Sequence, residues 1–330
     1  MSALHPVGAG AQGSAGPLHQ EAAPGVLVKA AQAAGERQDA LGDGWHKGEP
    51  GAPLTWRTLG LDTLASMLLL SLQRLGGSSF SAQCQWPRLH PLNERAIAVS
   101  HHPLIMVEST RQLARALERR YLAPDGPAPL EPLSVRLGVR PGVRPLERGS
   151  ATDVSVRVSV GDLATHAGVL AAYRISAEYE HEGMPFGSCT MRCARPVHLA
   201  APCVVAPPPL SHLHPPAAAV GAAADTDVLL ARAPQGRLVI VPRDPGHPVL
   251  LAGRPPRLPA LAVLEAVRQA ALLTSGLTAQ AVAGLHVELQ APVPPSGALA
   301  EVIAEPGGSR VLVTVGGAVA ALGTVALLGP

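Results

Sequence analysis

Alternating apolar and polar positions predict β-strands in the first half of the chain, beginning at residue 67. MLLLSLQRL and FSAQCQW, separated by GGSS, have the pattern of two strands joined by a turn. Turn residues also separate four later strand-like stretches, LSVRLGV, DVSVRVSV, AGVLAAYRISAEYEHEG and FGSCTMRCA. Between the two groups, residues 103–120 predict a helix of about five turns, with Pro103 in its first turn.

A similar order of elements returns in the C-terminal part of the chain. TDVLLAR and GRLVIVP are predicted strands, and residues 258–274 form a predicted helix. GLHVELQAPV and ALAEVIAE follow as strands, and the last two strands flank Gly316-Gly317, a dipeptide typical of tight hairpins. Each half therefore predicts antiparallel strands around one helix, which is an α+β fold with the helix packed on one sheet.

Composition divides the chain into four parts. Residues 1–25 are rich in Gly and Ala and have no period, which is typical of a flexible N-terminal tail. We predict a first domain over residues 26–200, with an irregular insertion at about 32–60. Residues 201–219 are rich in Pro and are expected to link it to a second domain over residues 220–330.

One motif occurs at the same place in both halves. The pattern H-P-x16-E-x2-R-Q begins at His90 and again at His247. Its last three positions are Glu108, Arg111 and Gln112 in the first half and Glu265, Arg268 and Gln269 in the second. Such agreement at fixed offsets on the same predicted element indicates an internal duplication.

The polar residues of the motif share one face of each predicted helix, because they lie three and four positions apart. The second helix, ALAVLEAVRQAALLTS, has no other charge, so Glu265 and Arg268 are expected to be buried as an ion pair. That pair is either part of a functional site or a contact that only fixes packing. In the first helix Arg115 and further charged residues follow, so Glu108 and Arg111 can equally belong to a solvated stripe.

Composition excludes several classes of function. The chain has 330 residues with only 3 Trp, 3 Tyr and 2 Phe, too few aromatic rings to stack on single-stranded nucleic acid. A net charge of +2 provides no strong field for nucleic acid or a membrane surface. Residues 311–330 are uncharged and long enough to span a bilayer, but the hairpin signal within them argues against an anchor. We therefore expect neither nucleic acid nor a membrane as a partner.

The spacing of cysteines and histidines predicts neither disulfides nor a metal site. The four cysteines are too few for a disulfide framework and are expected to be reduced, buried thiols. His90, His101 and His102 have no carboxylate or thiolate at ligand spacing. The sequence contains no phosphate-binding loop and no dinucleotide fingerprint, so we expect no cofactor. The N-terminus has no secretory signal, which predicts a cytoplasmic protein.

Three strings resemble the A-factor biosynthesis hotdog family, the γ-butyrolactone synthases of actinobacterial signalling. They are QWPRLHP at 85–91, HHPLIMVESTRQ at 101–112 and LPALAVLEAVRQAA at 258–271. The resemblance covers residues 67–330. It implies a double (tandem) hotdog fold, in which an antiparallel sheet wraps a long central helix in each half. It also implies that the halves pair as a pseudo-dimer, and such a chain can further form a homodimer.

The same resemblance implies an acyltransferase. The family transfers a β-ketoacyl group from a thioester, carried by acyl carrier protein or CoA, to dihydroxyacetone phosphate or a similar small phosphorylated hydroxyketone. The product leads through a butenolide to a γ-butyrolactone, in signalling or secondary metabolism. The alternatives are a hotdog dehydratase or thioesterase that acts on carrier-bound acyl groups, and a non-catalytic acyl-binding hotdog protein.

The motif and the resemblance together propose the site residues. The proposed catalytic residues are Glu108, Glu265, Arg268 and His101. Substrate binding falls on Arg111, Gln112, Gln269, His90 and Arg88. A carboxylate in an apolar pocket can act as a base or an acid near neutrality. A guanidinium suits a substrate phosphate, unless each arginine only pairs with its own glutamate.

Two further expectations concern the ends of the helices. The N-terminus that begins at Pro103 is expected to hold the developing oxyanion, because backbone N–H groups point out of a helix start. His90, His101 and His102 precede this helix and are either proton carriers or loop and capping histidines. In the family, histidines precede the second helix, and their positions here are Gly253 and Arg257.

Overall fold

The computed structural model describes residues 54–93, 99–124, 126, 129–147, 149, 151–195 and 212–328. The strands of the first half are β1 (Leu69–Gly76), β2 (Ser79–Pro87), β3 (Val99–Ser100), β4 (Glu131–Val139), β5 (Leu146–Glu147), β6 (Ala151–His166), β7 (Val169–His181) and β8 (Met184–Ala194). Its helix is α1 (Leu104–Leu117), which continues as a π-helical segment, Glu118–Leu122. The predicted strands and helix of this half are confirmed, and Pro103 is the residue that precedes the helix.

Within residues 212–328, the second half has one α-helix and six strands. Its strands are β9 (Leu230–Arg232), β10 (Leu238–Ile240), β11 (Val282–Leu289), β12 (Ala298–Glu305), β13 (Gly308–Val315) and β14 (Ala318–Leu327). Its helix is α2 (Ala260–Ser275). The predicted C-terminal hairpin is confirmed, since Gly316 and Gly317 connect β13 to β14 with φ angles of 58° and 86°. Positive φ at both turn positions favours glycine there.

The strand order shows that the duplication is structural. The main sheet has 12 antiparallel strands in the order β1-β2-β6-β7-β8-β4-β11-β14-β13-β12-β10-β9. Each half contributes six strands in the same relative order, and the halves join where β4 pairs with β11. At this junction Arg136 lies opposite His286 and Val135 lies opposite Val287. The two halves are therefore related by an approximate two-fold axis near this pair of strands.

Each helix packs on the sheet of its own half. α1 contacts β8, β7, β1 and β4, whereas α2 contacts β11, β14, β13 and β12. Every residue of α2 from Ala260 to Leu272 is buried, and the two helices also contact each other. One central helix wrapped by an antiparallel sheet in each half is a double hotdog fold of the α+β class.

The motif face of α1 is buried, which contradicts its interpretation as a solvated stripe. Glu108 is 5% exposed and Gln112 is fully buried. The charged residues further along α1 do not show whether Glu108 is exposed. Segments of the first half fold back over the side of α1 that carries this residue. A helical pattern alone does not show whether another part of the chain covers a polar face.

Each half begins with a turn that covers its helix. We name residues 54–66 the first cover segment and residues 215–227 the second. In both, a glycine with positive φ follows a helical turn: Gly60 has φ 67° and Gly221 has φ 60°. The backbone bonds correspond, since Leu61 N donates to the Trp56 carbonyl and Ala222 N to the Ala217 carbonyl, each at 2.9 Å. The duplication thus extends beyond the motif to these turns.

The cover segments show that parts of the predicted insertion and linker are ordered. Residues 54–60 of the insertion and 212–219 of the linker are ordered parts of the two halves. Residues 32–53 and 201–211, like the predicted tail at 1–25, lie outside the described residues. The domain boundaries otherwise stay predictions.

The cysteines of the described residues are free and buried. Burial raises the pKa of the Cys84, Cys189 and Cys193 thiols to about 12, so they are inert near neutrality. Cys203 lies outside the described residues. Among the residues that the structure describes, no group of His, Cys, Asp and Glu side chains could hold a metal ion. Within the same residues, no helix has the length and apolarity needed to cross a membrane.

Candidate functional site between the two halves

The motif of the first half forms a hydrogen-bonded network around Glu108. Arg111 donates from Nε to Glu108 Oε2 and from Nη2 to Oε1, both at 2.7 Å. Gln112 donates from Nε2 to Glu108 Oε1 at 2.9 Å. Three N–H groups therefore stabilise the carboxylate of Glu108 in its ionised form.

The motif of the second half repeats this network almost atom for atom. Arg268 donates from Nε to Glu265 Oε2 at 2.8 Å and from Nη2 to Oε1 at 2.7 Å. Gln269 donates from Nε2 to Glu265 Oε1 at 2.7 Å. The expectation of a buried ion pair in this helix is confirmed, since Glu265 is 2% exposed and Arg268 is fully buried.

The two glutamines hold the cover segments and use both of their donor hydrogens. Gln112 Oε1 accepts from Leu68 N and Leu69 N, and its Nε2 also donates to the Ser66 carbonyl. Gln269 similarly accepts from Leu229 N and donates to the Asp227 carbonyl. An amide side chain has two donor hydrogens and one acceptor oxygen. The predicted substrate binding by Gln112 and Gln269 therefore has no support in these contacts, which tie each helix to its cover segment.

The cover segments differ in how closely they approach the helix. Gly221 accepts a hydrogen bond from Arg268 Nη2 at 2.8 Å, and Val220 and Ala222 pack into a buried cluster with Val228. Around Gly60, by contrast, a side-chain carbon would meet no atom within 4 Å. The second cover segment closes over Arg268, whereas the first leaves open space beside Glu108 and Arg111.

We expect Gly221→Ala to destabilise the protein by about 2–4 kcal/mol. The added carbon would lie 2.9 Å from the side chains of Ala279 and Leu272, at a φ that disfavours side chains. The matched variant Gly60→Ala introduces only the backbone strain, about 1 kcal/mol. Denaturant unfolding of both variants measures the difference, and equal losses would contradict the account of one open and one closed half.

The open space beside Glu108 is a cleft at the junction of the halves. It has a volume of about 480 Å³ and continues into a recess of about 30 Å³ beside His90. Glu108 and Arg111 line both spaces. The opposite wall comes from the second half, through the segment 249–261 and residues 289–293. The cleft therefore exists only because the two halves pack together.

His90 lines this recess and carries a buried donor without a partner. Its Nδ1 accepts from Leu92 N at 3.3 Å, so the neutral ring carries its hydrogen on Nε2. His90 is 3% exposed and Nε2 has no hydrogen-bond partner. Burial lowers the pKa of His90 to about 4, although the charge of Glu108 opposes this shift. His90 is thus a neutral, buried N–H donor beside an ionised carboxylate, and such a donor is costly to leave unpaired.

The corresponding histidine of the second half is satisfied. His247 Nδ1 accepts from Leu250 N at 3.0 Å, and Nε2 donates to Asp227 Oδ1 at 3.0 Å. Ser66 occupies the position of Asp227 in the first cover segment, since both end the short helical turn before the first strand. One substitution between the halves therefore accounts for the free donor of His90.

The other predicted histidine and Arg88 lie outside the cleft. His101 binds Asn93 through Nδ1 at 3.0 Å and Thr152 through Nε2 at 2.8 Å, and it packs edge-on against Trp86. Both ring nitrogens are occupied, which agrees with a role in packing rather than proton transfer. Arg88 is half-buried in the turn after β2, where its carbonyl accepts from Asn93. The proposed roles of His101 and Arg88 have no support from their positions.

The helix N-termini also differ from expectation. At α1, Leu104 N donates to His102 Nδ1 at 3.3 Å and Ile105 N to the His102 carbonyl at 3.0 Å. The N-terminus at Pro103 is therefore not free to hold an oxyanion. At α2, Ala260 and Leu261 line the cleft opposite Glu108. The first N–H groups of a helix have no intrahelical partner, so the helix start that could offer donors to the cleft is that of α2 rather than that of α1.

His102 of the first half contacts the hydrogen-bonded network around Glu265 in the second half. It lies two residues before the start of α1 in the first half, and its Nε2 lies 3.8 Å from Glu265 Oε2 of the second half. Burial and the charge of Arg268 hold the pKa of His102 well below its usual value. The sequence offers His102 as a candidate proton carrier and gives no role to Asp227. The structure places His102 beside Glu265 of the other half and Asp227 beside His247 of its own half.

Acid is expected to destabilise the protein through its buried histidines. Burial and neighbouring histidines lower the pKa of His101 to about 4, as burial does for His90. The unfolded chain binds these protons near pH 6.5, so stability is complete above that pH and is lost as the pH falls toward 4. We expect a loss of about 2 kcal/mol for each histidine between pH 7 and pH 5.

Denaturant unfolding at several pH values measures this loss. His101→Gln should flatten the dependence on pH, because it removes one of the buried histidines with a lowered pKa. His166→Gln, at an exposed position near the end of β6, is the control and should leave the dependence unchanged. A stability that does not change between pH 7 and pH 5 would show that the histidines are not buried as described.

The chain is similar in structure to solved proteins, but no family model and no curated protein matches its sequence. A protein described as a thioesterase from Novosphingobium aromaticivorans DSM 12444 is 13% identical, with a TM-score of 0.45 over 78% of this chain and 98% of that one. The dehydratase domain from the terminal module of the rifamycin polyketide synthase is 15% identical, with a TM-score of 0.44 over 83% and 99%.

A third solved structure is a hot dog protein of unknown function from Alicyclobacillus acidocaldarius. It is 13% identical, with a TM-score of 0.37 over 79% of this chain and 96% of that one. Identities and TM-scores this low carry no conclusion about activity. The strand order and the central helices described above define the fold, and the activity has to be inferred from the cleft.

Proposed function

We propose that the cleft between the halves binds an acyl thioester and that Glu108 activates the nucleophile that attacks it. The observation that carries this proposal is the free Nε2–H of His90 in the same recess as Glu108. A buried donor without a partner is suited to a ligand oxygen, such as a thioester carbonyl. The start of α2 lines the adjoining cleft, and the N–H groups of a helix start can supply further donors there.

The rest of the cleft suits an acyl chain. Val249, Ala252, Leu258, Leu261, Leu289 and Val293 are among its lining residues. These apolar side chains come from the second half, whereas Glu108 and His90 come from the first. The acyl group would therefore lie against one half while the reacting carbonyl lies against the other.

The reaction proceeds in two linked steps. Glu108 takes the proton of the attacking O–H group, and the new C–O bond forms at the thioester carbon. His90 and the start of α2 stabilise the negative oxygen of the intermediate. When the C–S bond breaks, the proton held by Glu108 passes to the leaving thiolate, so no cofactor is consumed. With water as nucleophile this is a thioesterase reaction.

Acyl transfer to a small phosphorylated hydroxyketone is the second candidate. Arg111 favours it, because its hydrogen bonds to Glu108 use Nε and Nη2 and its side chain is 28% exposed at the cleft. A guanidinium edge that faces a cleft suits a phosphate. With dihydroxyacetone phosphate as nucleophile, this is the γ-butyrolactone synthase reaction that the sequence resemblance implies.

Product analysis by mass spectrometry tests both candidates. The protein is incubated with β-ketoacyl and β-hydroxyacyl thioesters of CoA, with and without dihydroxyacetone phosphate. Free acid supports a thioesterase, and a phosphorylated ester supports acyl transfer. An enoyl thioester from the β-hydroxyacyl substrate would indicate a dehydratase instead, and no turnover with tight acyl binding would indicate a binding protein.

A further inference from the structure

The first cover segment brings a second carboxylate to the proposed site. Asp62 lies two positions after the glycine turn at Gly60 and is exposed. It lines both the cleft and the recess, in each case together with Glu108 and Arg111. Arg111 therefore shares the recess with two carboxylates rather than with Glu108 alone.

The position of this acid distinguishes the two halves. The cover segments correspond residue by residue, because the same backbone and glutamine hydrogen bonds recur at the same offsets in both. Asp62 corresponds to Ala223, which has no charge. Asp227, which accepts from His247 at 3.0 Å, has Ser66 as its counterpart. The first segment thus lacks the acid that would bind its buried histidine and carries one beside the cleft instead.

The charge of Asp62 acts on Arg111. Burial lowers the pKa of Arg111, but the charge and hydrogen bonds of Glu108 and the charge of Asp62 raise it, and the net shift is upward. An upward shift means that negative charge already present in the site stabilises the guanidinium. A phosphate that approached Arg111 would supply no missing counter-charge and would be repelled by both carboxylates.

The size of the recess limits what can lie beside Glu108. Its volume of about 30 Å³ holds about one or two water molecules. His90 lines the same space with its buried N–H donor. A water molecule or the hydroxyl end of a larger nucleophile fits there, whereas a phosphate has to remain in the wider cleft. Asp62 also lines the wider cleft, so its charge acts at both positions.

We propose that Asp62 selects the nucleophile by charge and favours an uncharged one, such as water, over one that carries a phosphate. This inference rests on the proposed function for the reaction at Glu108, and it chooses water from the two candidate nucleophiles. Asp62 takes no part in proton transfer and acts through its field at Arg111 and in the cleft. Because Asp62 is exposed and screened by salt, the selection amounts to about fivefold to tenfold rather than complete exclusion.

Binding of inorganic phosphate tests this selection without turnover. In isothermal titration at low ionic strength, Asp62→Asn is expected to bind phosphate about fivefold to tenfold more tightly than the unmodified protein. Adding Arg111→Gln to this variant should abolish the gain, because the gain comes from the guanidinium. Asp162→Asn is the matched control, since this exposed carboxylate on β6 pairs with Arg174 and does not line the cleft. Thermal unfolding confirms that the variants fold.

Product ratios test the same selection during the reaction. The protein is supplied with the thioester found by product analysis and with dihydroxyacetone phosphate. The unmodified protein should give mainly free acid, because water is the uncharged nucleophile. Asp62→Asn should raise the ratio of phosphorylated ester to free acid by about fivefold, whereas Asp162→Asn should leave it unchanged.

The outcomes separate this inference from the proposed function. An unchanged phosphate affinity, a gain that persists after the loss of Arg111, or an unchanged product ratio in Asp62→Asn would overturn the role of Asp62. Mainly phosphorylated ester from the unmodified protein would overturn it as well. A gain in phosphate binding that depends on Arg111, without thioester turnover in any variant, would support charge selection by Asp62 and refute the proposed function.

Discussion

Replacing Arg268 by methionine is expected to lower the free energy of unfolding by about 3–5 kcal/mol. The substitution leaves the Glu265 carboxylate in a fully buried helix with Gln269 as its one remaining strong donor. It also removes the bond between Arg268 Nη2 and the Gly221 carbonyl, which holds the second cover segment to α2. Denaturant unfolding monitored by circular dichroism measures the loss.

Two further variants isolate the cause. Arg111→Met removes the same contact in the first half, where the side chain of Arg111 is 28% exposed and water can reach Glu108. We expect it to cost about 1–2 kcal/mol. The double variant Glu265→Gln/Arg268→Met removes both charges and should recover most of the loss. If Arg111→Met and Arg268→Met were equally destabilising, the second network would not be more closed than the first.

Replacing Glu108 by glutamine is expected to reduce the rate of thioester turnover by about 10²- to 10⁴-fold. Glutamine keeps the shape of the side chain but cannot take a proton from the nucleophile. The protein should remain folded, because Glu108 lies beside the cleft and Arg111 can be solvated there. Kinetics with the thioester found by product analysis measure the change in kcat.

Glu265→Gln, the corresponding variant of the second half, tests whether the effect on turnover is specific to the first half. Glu265 has the same bonds as Glu108 but is closed to solvent by the second cover segment. We expect its effect to fall on stability, with turnover per folded molecule changed by less than about threefold. Comparable rate losses in both variants would show that the second network takes part in the reaction.

Much of the fold follows from the sequence alone. Period-two alternation with Gly-rich turns predicts the strands, because their side chains alternate between core and solvent. The motif predicts the duplication, which the strand order of the two halves confirms. It also predicts the buried pair of Glu265 and Arg268, because an apolar helix with a single acid and a single base has little other way to accommodate them.

The site was less predictable, because its parts come from distant segments. The start of α2 lines the cleft opposite Glu108, and His102, just before α1, lies near Glu265. Each motif is therefore completed by the other half. The repeated motif places Glu108 and Glu265 at the same position of each half, and the motif does not indicate which of the two lies beside open space.

The sequence by itself thus determined the strands, the helices, their duplication and the pairing of each glutamate with its arginine. Each of these features can be recognised from residues that lie close together along the chain. Tertiary packing alone decided that one half is open and the other is closed. The second cover segment hydrogen-bonds to Arg268 through Gly221, whereas the first stands away from Arg111 at Gly60. The reason is that burial depends on which distant segment fills the space above a helix face, and helical periodicity carries no information about that segment.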